Sequence, residues 1–179
     1  MTGYVALLRG INVGGNKKIV MAELRELLTR LGYADVRTHL NSGNAVFFCP
    51  RSDPDQLAAR IEQAISADLG VNVRCLIRDE PELRAVIAAN PWPEHADEGS
   101  KLMAIFLSAT PSPALLQAHD PCALEPSTIA LGHRVIYQWC PDGILQAPPA
   151  GGFAEKYLGV TVTARNWNTV TKLALRACA

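Results

Sequence analysis

One feature constrains the fold of this chain more than any other. Short apolar runs, punctuated by Gly, Asn and Pro, follow the order strand, helix, strand, strand, helix, strand, and then follow it again. Tyr4 to Leu8 reads as a buried strand. Met21, Leu24, Leu28 and Leu31 fall on one helical face, which Gly32 terminates. Val36 to Leu40 and Ala45 to Phe48 are strands joined through Asn41-Ser42-Gly43-Asn44, a turn of residues that tolerate positive φ. Ser52-Asp53-Pro54 opens a helix whose stripe is Leu57, Ile61, Ile65 and Leu69 and which Gly70 ends, and Val71 to Ile77 is the fourth strand. This is the split βαβ order of a ferredoxin-like sandwich.

The second pass is shorter and less regular. Asp79 opens a helix through Leu83, Val86 and Ile87, and Pro91 to Gly99 has linker composition. Leu102 to Leu107 is then a strand, and Thr110-Pro111 caps a helix through Leu115 and Leu116. Strands Thr128 to Leu131 and Val135 to Trp139 meet at the corner Gly132-His133-Arg134. A short helix Phe153 to Leu158, a strand Thr161 to Ala164 and a helix lined by Trp167, Val170, Leu173, Ala174 and Ala177 complete the chain. The expected fold class is α+β: two ferredoxin-like halves with antiparallel sheets, residues 1–90 and 100–179. The halves share little residue identity, so the repeat is one of element order.

Composition narrows function. The chain has 179 residues, 49% of them hydrophobic, with 17 Lys plus Arg against 17 Asp plus Glu. Zero formal net charge argues against coating nucleic acid by bulk electrostatics, though a local basic patch stays open. No apolar stretch reaches membrane-spanning length, and the start of the chain lacks a basic leader, so a cytoplasmic protein without membrane partners is expected. Cys49, Cys75, Cys122, Cys140 and Cys178 form no metal or disulfide pattern, and His39, His95, His119 and His133 are equally scattered. The expectation is reduced thiols, no metal site and no cofactor.

Three segments rich in Asn, Gly and Arg or Lys remain: Arg9 to Lys18, Asn41 to Asn44, and Arg165 to Thr169. They hold hydrogen-bond donors and positive charge but no proton-transfer group. Gly10 and Gly15 have P-loop separation, but Asn16 follows Gly15 and Lys18 replaces the magnesium-binding hydroxyl, so this is not a Walker motif. Two readings of the loop stay open. Arg9, Asn12, Gly14, Gly15 and Lys17, with Lys18 adding charge, cradle an anion, or the Asn residues only shape a crossover. Likewise Ser42 and Asn44 either contact a ligand or close a hairpin. Ser42 has no neighbouring base to make it a nucleophile. Asn166 suits a helix N-cap, where Arg165, Asn168 and the helix N-terminus offer an anion site. Trp167 either stacks on a ligand ring or anchors the core.

At these segments the chain resembles the bacterial domain-of-unknown-function family 1697. The matching stretches are Tyr4–Gly15, Met21–Arg25, Ser42–Asn44 and Arg165–Thr169. The resemblance implies two ferredoxin-like parts and no established activity. It departs in two places. Relatives often carry an Arg-Ser-Lys-like segment after a Pro-x-Gly turn, where this chain has Gln146, Ala147 and Pro148, and His39 and Asn41 stand where Tyr and Gln are common.

Three functional readings follow. The first is a protein binding a phosphate-bearing small molecule or nucleotide in a cleft formed by the three segments, without tight binding to duplex DNA. The second is a structural or protein-interaction module with no ligand. The third is an enzyme acting on a phosphorylated substrate. Oligomeric state is not legible.

Overall fold

The structure is a computed structural model that describes residues 1–15 and 17–178. It contains two four-stranded antiparallel sheets, each with helices interleaved in the order the sequence predicts. The chain forms two compact units, Met1–Arg84 with Lys172–Ala179, and Ala85–Thr171. The segment 91–99, of linker composition, lies within the second of them and folds as a 3-10 turn over Pro93–Glu98.

In the first unit, β1 (Thr2–Leu8), β2 (Ala34–His39), β3 (Asn44–Cys49) and β4 (Cys75–Asp79) lie in the order β2-β3-β1-β4. Tyr4 pairs with Phe47, and Ala6 with Ala45 and Ile77. Because side chains alternate along a strand, these residues point to one face. There they pack with Leu24, Leu27 and Leu28 of α1 (Met21–Arg30) and with Leu57, Ile61 and Ile65 of α2 (Pro54–Leu69). Tyr33 and Tyr4 both stack on Phe47 in this core. The other face is also covered: Val5, Leu7, Val46 and Phe48 are buried. A Cβ on Gly3 would lie 2.1 Å from the carbonyl oxygen of Ala177, so the last helix runs close over that face beside Phe48. α2 has the predicted ends, with Asp53 accepting from the amides of Asp55 and Gln56 and Gly70 closing it at φ 65°.

The second unit repeats the order. β5 (Leu102–Leu107), β6 (Ile129–Gly132), β7 (Val135–Trp139) and β8 (Val162–Asn166) lie as β6-β7-β5-β8. α3 (Glu80–Ala88) precedes them in the chain, α4 (Pro113–Ala118) and α5 (Ala150–Leu158) are interleaved, and α6 (Trp167–Ala177) follows. Several boundaries differ from the sequence reading: the fourth strand, expected over Val71 to Ile77, covers Cys75–Asp79, β2 and β6 are shifted, and three further differences have a visible cause. Ser112, not Thr110, caps α4, accepting from the Leu115 amide. α5 starts at Ala150, three residues early, because Gly151 and Gly152 do not break it once Ala150 and Ala154 are buried. β8 runs on through Arg165 to Asn166, held by pairing of Met103 with Asn166.

The element repeat extends to residues. Arg78 and Arg165 hold matching places in the last strand of each unit. Both are buried, and each Nη1 donates to the preceding carbonyl at 2.8 Å, that of Ile77 or Ala164. Each is followed by a residue that caps the next helix: Asp79 accepts from the Glu82 amide, and Asn166 from the Thr169 amide.

Candidate functional site

The loop after β1 is shaped by one side chain. Asn12, at φ 56°, donates from Nδ2 to the carbonyls of Ile19 (3.0 Å) and Asn41 (2.7 Å), and its Oδ1 accepts from the Ile19 amide (3.0 Å). Its own amide donates to the Lys17 carbonyl. Both amide protons of Asn12 are therefore committed to backbone, and the loop is drawn onto the turn. Ile11 is the buried anchor: its side chain sits under Gly43, where an added Cβ would come within 2.8 Å of Ile11 and 2.7 Å of Leu8. Gly43 has φ 86°, so glycine is required there for both conformation and space.

The turn is built the same way. Asn44 is fully buried, and Nδ2 donates to the His39 carbonyl (2.8 Å) and to Ser42 Oγ (3.0 Å). Ser42 thus accepts from Asn44 at the turn surface.

Loop and turn together frame a recess of about 460 Å³, lined by Asn12, Gly15, Lys18, Asn41 and the segment Ile19–Val20–Met21 that opens α1. Val20, the N-cap, supplies no side-chain cap. The first-turn amides of α1 have no intrahelical acceptor and carry the positive end of the helix dipole. Gly14 and Gly15 follow one another at φ 65° and 88°, both exposed beside Lys17 and Lys18. The arrangement offers a cation, backbone donors and an uncapped helix start. Groups of these kinds are those that bind anions in proteins generally, and among the described residues no carboxylate, imidazole or thiol lines the recess.

Of the sequence candidates, the structure brings Asn12 and Gly15 to this recess. Arg9 and Gly14 are exposed in the same loop, and Lys17 lines a neighbouring hollow with Glu62 and Arg74. Lys18, read from sequence as one of the cations of the loop, and Asn41, read as a turn residue, also line the recess. Lys18 stands next to the helix start in the sequence, whereas Asn41 reaches the recess only through the fold.

The third segment belongs to the second unit up to Thr171. Arg165 is buried, with Nη1 also donating to Thr163 Oγ1 at 2.7 Å. Asn166 caps α6 as its residue type predicts. Trp167 is 3% exposed; its ring is tilted against Tyr137, and its amide donates to the Gly99 carbonyl at 2.9 Å. Asn168 is exposed and packs on Gly99, where a Cβ would lie 2.2 Å from Asn168 Oδ1.

Gln146, Ala147 and Pro148 line a separate recess of about 300 Å³ with Trp139, Cys140 and Asp142. Its charged lining residues, Glu125 and Asp142, are acidic, so it does not suit an anion. Burial pushes the Cys140 thiol up, away from reactivity. Among the described residues no three His, Cys, Asp or Glu side chains form a group able to hold a metal, and no helix is long and apolar enough to cross a membrane.

The fold has a solved counterpart. The conserved bacterial protein SP0830 from Streptococcus pneumoniae superposes with a TM-score of 0.66 at 23% sequence identity, over 98% of each chain. At that identity the likeness shows the fold. A comparison with curated proteins gives no match. A family model described as a protein of unknown function, DUF1697, matches residues 1–137, more than half of the chain. The chain therefore belongs to the DUF1697 family of proteins of unknown function.

Proposed function

We propose that the protein binds a phosphate-bearing small molecule, such as a nucleotide, in the recess between the Arg9–Lys18 loop and the Asn41–Asn44 turn. The observation that carries this reading is the meeting of Lys18, the Gly15 backbone and the uncapped start of α1 around one volume of about 460 Å³. Phosphate is recognised by such backbone donors at a helix start together with a nearby ammonium. The volume lies in the range of small-ligand sites. The test is a thermal-shift panel of inorganic phosphate, nucleotides and sugar phosphates against wild type and K18A. A stabilising ligand should raise the melting temperature of wild type, and K18A should respond at least about tenfold more weakly in concentration. A panel with no response in wild type contradicts the reading.

A second reading has an observation of its own. Both donors of Asn12 and both donors of Asn44 are spent on loop and turn atoms. In a structural or protein-interaction module these segments serve only to hold loop shape. The same panel separates the two, because a scaffold gives no ligand-dependent shift. Catalysis on a phosphorylated substrate would require a proton-transfer group beyond the recess lining.

A further inference from the structure

A second concentration of charge lies at the end of β2, one of the two edge strands of the first sheet. Thr38, its penultimate residue, is approached by two arginines. Arg25 of α1 brings Nη1 to 3.4 Å from Thr38 Oγ1, and Arg176 of α6 brings Nη1 to 3.4 Å from the Thr38 carbonyl. The register explains how. Thr38 pairs with Ala45, which faces the α1–α2 core, whereas Arg37 and His39 pair with Val46 and Asn44 and point to the face that the end of α6 covers. Cations thus reach one edge from both faces of the sheet. Arg37 is exposed on the strand, and Lys172, with Arg176, is near enough to disfavour protonation of His39. None of Arg25, Arg37, Lys172 and Arg176 forms an ion pair among the described residues, although the chain has as many acids as bases.

Edge protection does not account for this. Natural edges are blunted by charge on the strand itself or by irregular backbone, and Arg37 and the left-handed Asp35 (φ 47°) already do that. Cations contributed by two different helices serve no such purpose.

We propose that the β2 edge docks the backbone of a single-stranded nucleic acid, with Arg25, Arg37, Lys172 and Arg176 neutralising successive phosphates. Two observations select this partner over others. An acidic peptide adding as a further strand needs open backbone groups, yet Arg176 occupies the Thr38 carbonyl and the backbone turns left-handed at Asp35. A phosphodiester chain needs none of these groups. A duplex is stiff and holds its phosphates at a fixed pitch, whereas a flexible single strand can turn its phosphates toward cations that approach one short edge from both faces. The stretch of β2 that the cations reach, from Arg37 to His39, spans about 10 Å, the length of on the order of three stacked nucleotides. This site uses none of the recess residues and stands or falls independently of the ligand proposed there.

The test is fluorescence anisotropy on the full chain with labelled single-stranded DNA and RNA of about 12 nucleotides, the matching duplex, and an oligoglutamate of equal length. Single strands are expected to bind at low salt at least about tenfold more tightly than either control, with a log–log salt slope near roughly −3 for four contacts. The R25E/R176E variant should weaken binding at least about tenfold. Since both arginines touch Thr38, the R37E/K172E variant provides the same test without disturbing those bonds, and should also weaken binding. Oligoglutamate binding as tightly as the single strands would assign the edge to an acidic peptide and overturn the proposal. So would absence of binding at low salt, or unchanged binding in R37E/K172E.

Discussion

Asn12 and Asn41 are joined through a 2.7 Å bond from the Asn12 side chain to the Asn41 carbonyl, and that bond fastens the first loop to the first turn. Twenty-nine residues separate them in the chain. Removing the Asn12 amide in N12A would delete three bonds to backbone and put alanine at φ 56°. The loss should be about 1–3 kcal/mol by urea unfolding. Unchanged stability would mean that the side chain does not hold the loop.

Gly43 should be intolerant of any side chain. An alanine Cβ would press on Leu8 and Ile11 at a positive φ. G43A is expected to cost about 2 kcal/mol or more, with exchange of the Leu8 amide, which donates to the Gly43 carbonyl, becoming faster. A protein that melts at the wild-type temperature would refute the close packing of loop under turn.

Much of this fold was legible. Strand Leu102–Leu107 and the ends of α2 match the sequence reading because apolar runs, an Asp cap and a terminal Gly are local signals. What escaped was set by tertiary contact. The extension of β8 to Asn166 depends on pairing with Met103, and the start of α5 depends on burial of Ala150. The Arg78 and Arg165 correspondence was visible as Arg-Asx before a helix, but needed the sheet register to be recognised. In the site, residue type left open whether the Asn residues face a ligand or hold the loop and turn. Asn12 and Asn44 turn their donors to loop and turn atoms, and only distances reveal that.

The hydroxyl of Tyr137 donates to the Val86 carbonyl at 2.7 Å, and burial pushes its pKa up to about 12. The folded state therefore holds the proton more tightly than the unfolded one. This contribution is complete below the ordinary tyrosine value near pH 10 and is lost as pH rises toward about 12. Ultraviolet titration should show late-ionising tyrosine, to which Tyr33, also raised by burial, contributes, and Y137F should remove the Tyr137 component while costing about 1 kcal/mol or more. Ionisation of every tyrosine near pH 10 would contradict this environment.

His39 should titrate below the ordinary histidine range, first because burial disfavours its charged form and then because Arg176 and Lys172 stand near. The unfolded chain then binds more protons, so this residue's contribution falls as pH drops through about 6.5 and levels off below the depressed folded value. Nuclear magnetic resonance titration of its ring protons would measure the shift. R176A should raise the midpoint, and an unmoved midpoint would place the arginine farther away than described.

The central claim is that loop, turn and helix start form one anion-binding recess. Amide chemical-shift mapping during titration with inorganic phosphate, and then with a mononucleotide, tests it most directly. The account predicts saturable shifts centred on Gly14, Gly15, Lys18, Met21 and Asn41, weakened in K18A. Saturable shifts centred on the second unit's Trp139–Pro148 recess, or no saturable shifts for either ligand, would contradict it.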